Sequence, residues 1–304
     1  MGAAQVLQDA AHLTLERSEP AVVRIGRDGG RGCGVVVGDG LVLTNAHNLR
    51  DRTTEVTFHD GRTAQAAVAG ADLDGDLAVL QVDTGGVTPV AWADTGPRPG
   101  DVAFAVTRTP GGAARVAFGM ISGVDRPFRG PRGRRITGSL EHTVPLARGS
   151  SGSPILDDEG RLLGVNTHRL GDGFYLAVAA DDDLRARVDA LARGESPSHV
   201  RLGIGLAPAH VARKLRRAVG LPERDGLLVR VVEDGSPAGR AGIRAGDLIV
   251  GAGDASITTI DELFTALDAS AAGGRLALHV VRGVDEIDVV VHFGDDATST
   301  EGSA

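Results

Sequence analysis

Over residues 3–17, Val6, Leu7, Ala10, Leu13 and Leu15 recur at helical intervals, and Pro20 ends the pattern. This spacing predicts a helical segment within residues 1–18. From Ala21 to about Ala179 the helical period is replaced by short β-branched runs broken by glycine. Such runs occupy residues 21–25, 34–37, 40–43, 77–82 and 102–106, then 119–122, 155–156, 162–165 and 174–178. Many short strands between turn residues predict an all-β barrel or sandwich. Helical spacing returns from Asp181 to Ala192, with Leu184, Val188 and Leu191 on one face and Asp181 or Asp182 placed to cap it.

Arg193-Gly194-Glu195-Ser196-Pro197-Ser198 then reads as a linker. Beyond it the pattern predicts strand 201–206, helix 208–218, strands 226–232 and 248–251, helix 259–269, and strands 275–282 and 286–293. That is a second, α+β unit. The small polar residues 295–304 predict a disordered tail. The organisation expected is therefore a helical segment over 1–18, a β domain over 19–193, a linker over 194–198, an α+β domain over 199–294 and the tail.

Composition narrows the function. The net charge of −8 argues against a general nucleic-acid binder. Aromatic residues make up only 3% of the 304 residues, so the cores must be built from Val, Leu, Ile and Ala. Cys33 is the single cysteine, which excludes an intramolecular disulfide. No run of about 18 apolar residues is available to span a membrane. Residues 1–5 lack the basic and apolar regions of a secretory signal, so the chain as written reads as cytoplasmic. The histidines show no metal-ligand spacing, and neither a metal nor another cofactor is expected.

Three segments carry candidate chemistry. His47 lies in Leu43-Thr44-Asn45-Ala46-His47, just after a strand-like run; Asp76 lies in Asp74-Gly75-Asp76-Leu77-Ala78-Val79-Leu80, just before another. Ser151 sits in the tight turn Gly149-Ser150-Ser151-Gly152-Ser153-Pro154. A serine hydroxyl is a poor nucleophile at neutral pH and needs a base, which needs a group to fix its tautomer. The backbone N–H groups of Gly149 and Ser151 are placed to receive a developing oxyanion. The order His-Asp-Ser differs from that of α/β-hydrolases and of subtilisins and points to double-barrel serine proteases.

These segments resemble the HtrA (high-temperature-requirement) family of trypsin-like serine proteases with a PDZ domain. The family's Leu-Thr-Asn-x-His corresponds to residues 43–47, its Asp before Leu-Ala-Val-Leu to Asp76, and its Gly-Asn-Ser-Gly-Gly-Pro to residues 149–154. Its Gly-x-Asn-Thr corresponds to Gly164-Val165-Asn166-Thr167. Residues 235–249 are similar to the family's Ser-Pro-Ala-x-x-Ala-Gly segment, and Arg201-Leu202-Gly203-Ile204-Gly205 to its carboxylate-binding loop. The resemblance covers residues 18–293 and implies a mainly β protein: two six-stranded barrels with a triad of His47, Asp76 and Ser151 between them, followed by an α+β PDZ domain. It implies a serine endopeptidase acting on unfolded or damaged polypeptides, with the PDZ domain capturing peptide C-termini by strand addition. It also implies a site outside the cytoplasm, against the reading of the N-terminus.

The departures define a competing reading. Ser150 stands where the family has Asn, and Ser153 where it has Gly, so a β-carbon is expected to crowd the turn behind the nucleophile. A catalytically weak scaffold that binds peptides as a chaperone or adaptor would tolerate both. By position, Val144, Pro145 and Leu146 are expected to line the primary specificity pocket, and the strand Thr167-His168-Arg169 to pair with substrate. With no aspartate among them, aliphatic side chains are favoured. Arg126, Arg129, Arg132, Arg134 and Arg135 read as a solvated loop, or as one that reads an acidic partner. The family trimerises through N-terminal aromatic residues; residues 1–18 contain none, which argues against a trimer.

Overall fold

The computed structural model describes residues 2–27, 31–50, 53–109, 111–130, 133–197, 200–270 and 274–293. Arg132 and the expected tail at 295–304 lie outside the described residues. The chain divides into two compact units, 1–197 and 198–304.

In the first unit, α1 spans Ala3–Ser18. Its inner face is Leu7, Ala10, Ala11 and Leu15 against the core, with Thr14 and Ser18 buried, while Val6 is exposed. The stripe is thus rotated from the one the apolar residues alone suggest. Polar bonds explain it: Thr14 Oγ1 donates to the Asp157 carbonyl at 3.2 Å and Arg17 to that of Glu159 at 2.9 Å.

Six strands follow: β1 (Val22–Ile25), β2 (Gly32–Gly38), β3 (Leu41–Thr44), β4 (Thr53–Thr57), β5 (Thr63–Asp72) and β6 (Leu77–Gln81). They close into a barrel in the order β1-β2-β3-β6-β5-β4. Next come β7 (Val102–Arg108), β8 (Ala114–Val124), the hairpin β9 (Phe128–Arg129) and β10 (Arg135–Ile136), then β11 (Ser139–His142), β12 (Pro154–Leu156), β13 (Leu162–Gly171) and β14 (Phe174–Ala179). The second barrel closes as β11-β14-β13-β12-β7-β8. One core cluster joins the two barrels, running from Val22, Leu43 and Phe58 to Phe104, Leu156 and Val165.

β4 and β5 carry no β-branched apolar run, being built from Thr, Ala, Glu and Gln around Val56 and Val68. Closure makes them strands: β4 pairs Val56 with Ile25 of β1 and so satisfies an edge that would otherwise stay open. α2 (Asp182–Ala192) is capped by Asp181, whose carboxylate accepts from Leu184 N–H at 2.8 Å, and it buries Leu184, Val188 and Leu191. It lies directly on the backbone of β5, where a β-carbon on Gly70 would stand 2.4 Å from the Leu191 carbonyl oxygen.

The arginine-rich segment is not simply solvated. Arg134 Nε meets Asp74 Oδ2 at 3.0 Å, both side chains being largely buried, and Arg129 donates to the Gly133 carbonyl. Its partner is an acidic residue of this same chain, two residues before Asp76.

The second unit contains β15 (Ile204–Ala207), α3 (Ala209–Ala218), β16 (Leu227–Val232), α4 (Pro237–Arg240), β17 (Leu248–Ala252), β18 (Ala255–Ser256), α5 (Ile260–Ser270), β19 (Arg275–Arg282) and β20 (Asp285–His292). The sheet runs β15-β16-β17-β19-β20, with β18 on β17. Its core comprises Leu202, Leu227, Val229, Ile243, Ile249, Leu263, Leu267 and Leu278, among others. Buried Asp247 accepts two bonds of 2.8 Å from Arg282 and one from Arg244 N–H, which pins the turn before β17.

Candidate active site

β3 and β6 pair Thr44 with Ala78, so the residues just after one strand meet those just before the other. That register brings the turn Ala46–Asn48 against Asp76. The buried Asp76 carboxylate faces His47 Nδ1 at 2.8 and 3.0 Å, accepts from His47 N–H at 3.1 Å, and accepts from Thr167 Oγ1 at 2.7 Å. Nδ1 therefore holds the imidazole proton, and Nε2 is left as the base. Asp76 adopts a left-handed φ of 54°, which short polar side chains tolerate best. Its carbonyl is held by Asn45 Nδ2 at 3.0 Å and by Ala46 N–H at 3.3 Å.

The nucleophile turn is built from the second barrel. Gly149 and Gly152 have φ of 82° and 84°, a region that favours glycine. Among the described residues no hydrogen bond engages the N–H of Gly149 or Ser151, so both donors are available to an oxyanion. Ser151 Oγ makes no hydrogen bond to His47; such catalytic bonds are often long before substrate arrives and tighten in the complex.

The crowding expected from Ser153 does not occur. Its side chain is buried, with Oγ 3.0 Å from Asn166 Nδ2, which also donates to the Ser153 carbonyl at 3.1 Å. Behind Asn166 stands His142, fully buried and stacked on Tyr175 at 5.7 Å between ring centroids. Its Nε2–H donates to Asn166 Oδ1 at 2.8 Å. Burial pushes its pKa down to about 4, only partly opposed by the Asn166 bond, so it is neutral at pH 7.

A cleft of about 360 Å³ adjoins Ser151. Leu146, Ala147, Tyr175, Asn166, Thr167 and His168 line it, with Arg148 and Arg169 also in the lining and no carboxylate. Of the residues expected at a specificity pocket, Leu146, Thr167 and His168 line this cleft. Val144 and Pro145 do not. Val144 points into the barrel core beside Ile121 and Ile155, and Pro145 is exposed outside the cleft. β11 ends at His142, so residues 144–146 are not strand, and the burial of Val144 in the core takes its side chain out of the cleft. Thr167 also does more than line a wall, since it bonds the orienting aspartate. Sequence reasoning missed Asn48, His142 and Tyr175, whose roles depend on partners in other strands.

In the second unit, Gly203 has a φ of 72°, and a β-carbon there would lie 2.3 Å from Ser236 Cβ. The N–H groups of Leu202 and Gly203 take no hydrogen bond among the described residues, and β15 is the sheet's edge strand. Gly205 is exposed on β15, while Ile204 packs on the core. Arg201 is tethered to Glu233 at 3.3 Å.

Residues 32–165 match the trypsin-like peptidase domain family and residues 228–282 the PDZ domain family. The chain is 32% identical over 292 residues to the serine protease HhoA of Synechocystis, covering 90% of this chain and 73% of that protein. It is 28% identical to a DegP-like periplasmic serine endoprotease of Halomonas elongata, spanning 90% of this chain but only 58% of that protein. In structure it is similar to the HtrA-type protease AlgW bound to a decapeptide, with a TM-score of 0.64 at 21% identity over 93% of this chain and 97% of that one. The two barrels of the first unit, the sheet of the second and these likenesses together place the chain in the HtrA/DegP family of trypsin-like serine proteases that carry a PDZ domain.

Proposed function

We propose that Ser151, His47 and Asp76 perform peptide-bond hydrolysis on unfolded polypeptides, and that β15 with the loop Arg201–Ile204 captures peptide C-termini. The observation that carries the first part is the Asp76 carboxylate, which holds His47 Nδ1 and leaves Nε2 as the base, and which also accepts from Thr167 in the lining of the cleft that includes Ser151. In this reading Ser151 Oγ attacks the scissile carbonyl while His47 Nε2 takes its proton. The oxyanion is received by the N–H groups of Gly149 and Ser151, each such donor contributing about 3–4 kcal/mol. His47 then returns the proton to the leaving amine, and water repeats the sequence on the acyl-enzyme. The second part is supported by the free edge of β15 and the unengaged N–H groups of Leu202 and Gly203, a geometry suited to strand addition with a terminal carboxylate. AlgW has been seen with a decapeptide and with a tripeptide bound, consistent with a peptide-binding fold.

The decisive experiment is labelling with a fluorophosphonate, together with hydrolysis of unfolded casein. Wild type should react at Ser151 and degrade casein. Ser151→Ala should do neither, yet still bind a peptide with a free C-terminus. Casein hydrolysis by Ser151→Ala near the wild-type rate would remove Ser151 from the mechanism, and an unreactive wild type would favour the peptide-binding scaffold.

A further inference from the structure

We propose that Asn48 is a positioning residue that ties the turn carrying the base to the nucleophile's own peptide group; this rests on the serine-protease reading above. Asn48 follows His47 directly and is 2% exposed. Its Nδ2 donates to the Ser151 carbonyl at 3.0 Å and to Thr44 Oγ1 at 3.0 Å, and lies 3.5 Å from the Cys33 carbonyl. The amide orientation is fixed by these neighbours, since turning it over would set Oδ1 against three oxygens.

The peptide between Ser151 and Gly152 is thereby held at both ends. Its carbonyl accepts from Asn48 and from Cys33 N–H at 2.8 Å, and its N–H donates to the Asn166 carbonyl at 2.8 Å. The first barrel supplies one set of contacts and the second barrel the other. Both barrels also leave space for this junction. A β-carbon on Gly32 would lie 2.3 Å from the Asn48 amide, and one on Gly152 would lie 2.1 Å from the Cys33 carbonyl oxygen and 3.1 Å from Asn48 Nδ2.

Packing alone does not account for asparagine here. An apolar side chain of similar bulk would fill the same space but could make neither 3.0 Å bond of Nδ2, one of which runs from the base's turn to the nucleophile. Without it, His47 Nε2 and Ser151 Oγ lose a common reference, and a displacement of about 1 Å between reacting groups slows turnover about a hundredfold. The cleft at Ser151 does not include Asn48 in its lining, so binding should be spared.

The test compares full-length wild type, Asn48→Val and Asn48→Asp by kcat and KM on a chromogenic aliphatic peptide, by fluorophosphonate labelling rate and by thermal melting. Asn48→Val should remain fully folded at the assay temperature, lose about 10- to 100-fold in kcat and label correspondingly slowly, with KM within about twofold. Asn48→Asp, which keeps the shape but sets a carboxylate against the Ser151 carbonyl, should also lose at least about tenfold in kcat. Wild-type kcat in either variant would overturn the proposal. So would a lower melting point in Asn48→Val with activity lost only in proportion to the unfolded fraction, which is the mark of a merely structural residue. A wild type that neither hydrolyses nor labels would instead strike the serine-protease reading beneath it.

Discussion

Single side chains in this site are held by partners remote in sequence, and their behaviour follows from those partners. His142 is the clearest case. Burial lowers its pKa from an ordinary 6.5 to about 4, so the folded state binds fewer protons than the unfolded one between those values. Stability contributed by the neutral ring is complete above pH 6.5, falls as pH drops through the window, and is gone below about 4. Integrated over the window this is roughly 3 kcal/mol. Urea denaturation of wild type and His142→Gln across pH 4–7 should show this slope in the wild type alone; equal slopes would mean that the ring is solvated. The cleft makes a second prediction. Leu146, Ala147 and Tyr175 offer apolar contact, while Arg148 and Arg169 would repel a basic side chain. Peptide-library profiling should show small aliphatic residues on the acyl side of the scissile bond favoured over Arg and Lys by at least about tenfold in kcat/KM. Selection for Arg or Lys would show that the cleft is not the primary pocket.

At the scale of elements, the ends of α1, β1 and β7 are locked together by one buried side chain. Arg108 donates through Nε to the Val22 carbonyl at 2.6 Å, through Nη2 to the carbonyl and the carboxylate of Glu19, and through Nη1 to the Gly112 carbonyl. Arg24 in turn donates to the carbonyl of Arg108 at 2.8 Å. Arg108→Met would fill the volume but remove the guanidinium's bonds to the Val22, Glu19 and Gly112 carbonyls and to the Glu19 carboxylate. The expected loss is about 3 kcal/mol or more, read from the midpoint of urea unfolding. A change under about 0.5 kcal/mol would show that water replaces the guanidinium at no cost. Elements were unevenly legible beforehand. α2 could be read because its apolar face and its capping Asp181 lie within one short segment. β4 and β5 could not, because their pairing partners, and not their own residues, make them strands.

At the scale of the molecule, the two units have separate cores: one runs through both barrels, the other through the sheet β15–β20 and the helix α5. Among the described residues, each core is built from residues of its own unit. Fragments 1–197 and 198–304 made separately should therefore each melt cooperatively. The first should still react with a fluorophosphonate and the second should still bind a C-terminal peptide. Failure of the first fragment to fold would show that the peptidase unit depends on the residues that follow it.

The amino-acid sequence by itself determined the mainly β architecture and a second unit after the first, and it singled out His47, Asp76 and Ser151 as candidates. Each of these is written locally: a hydrophobic period, a turn of glycines, a short motif beside a strand. The sequence could also place Leu146, Thr167 and His168 near the cleft, because they lie a few residues from the motifs. Only the tertiary structure decided that Val144 faces the core, that Arg134 docks on Asp74, and that Ser153 is accommodated through Asn166 and His142. Only it placed the Asn48 amide on the Ser151 carbonyl, 103 residues away in the chain. The last three share a physical reason. Each depends on which side chain the packing of strands and barrels brings within about 3 Å of a polar group remote in sequence, and such a pairing leaves no periodic mark in the sequence.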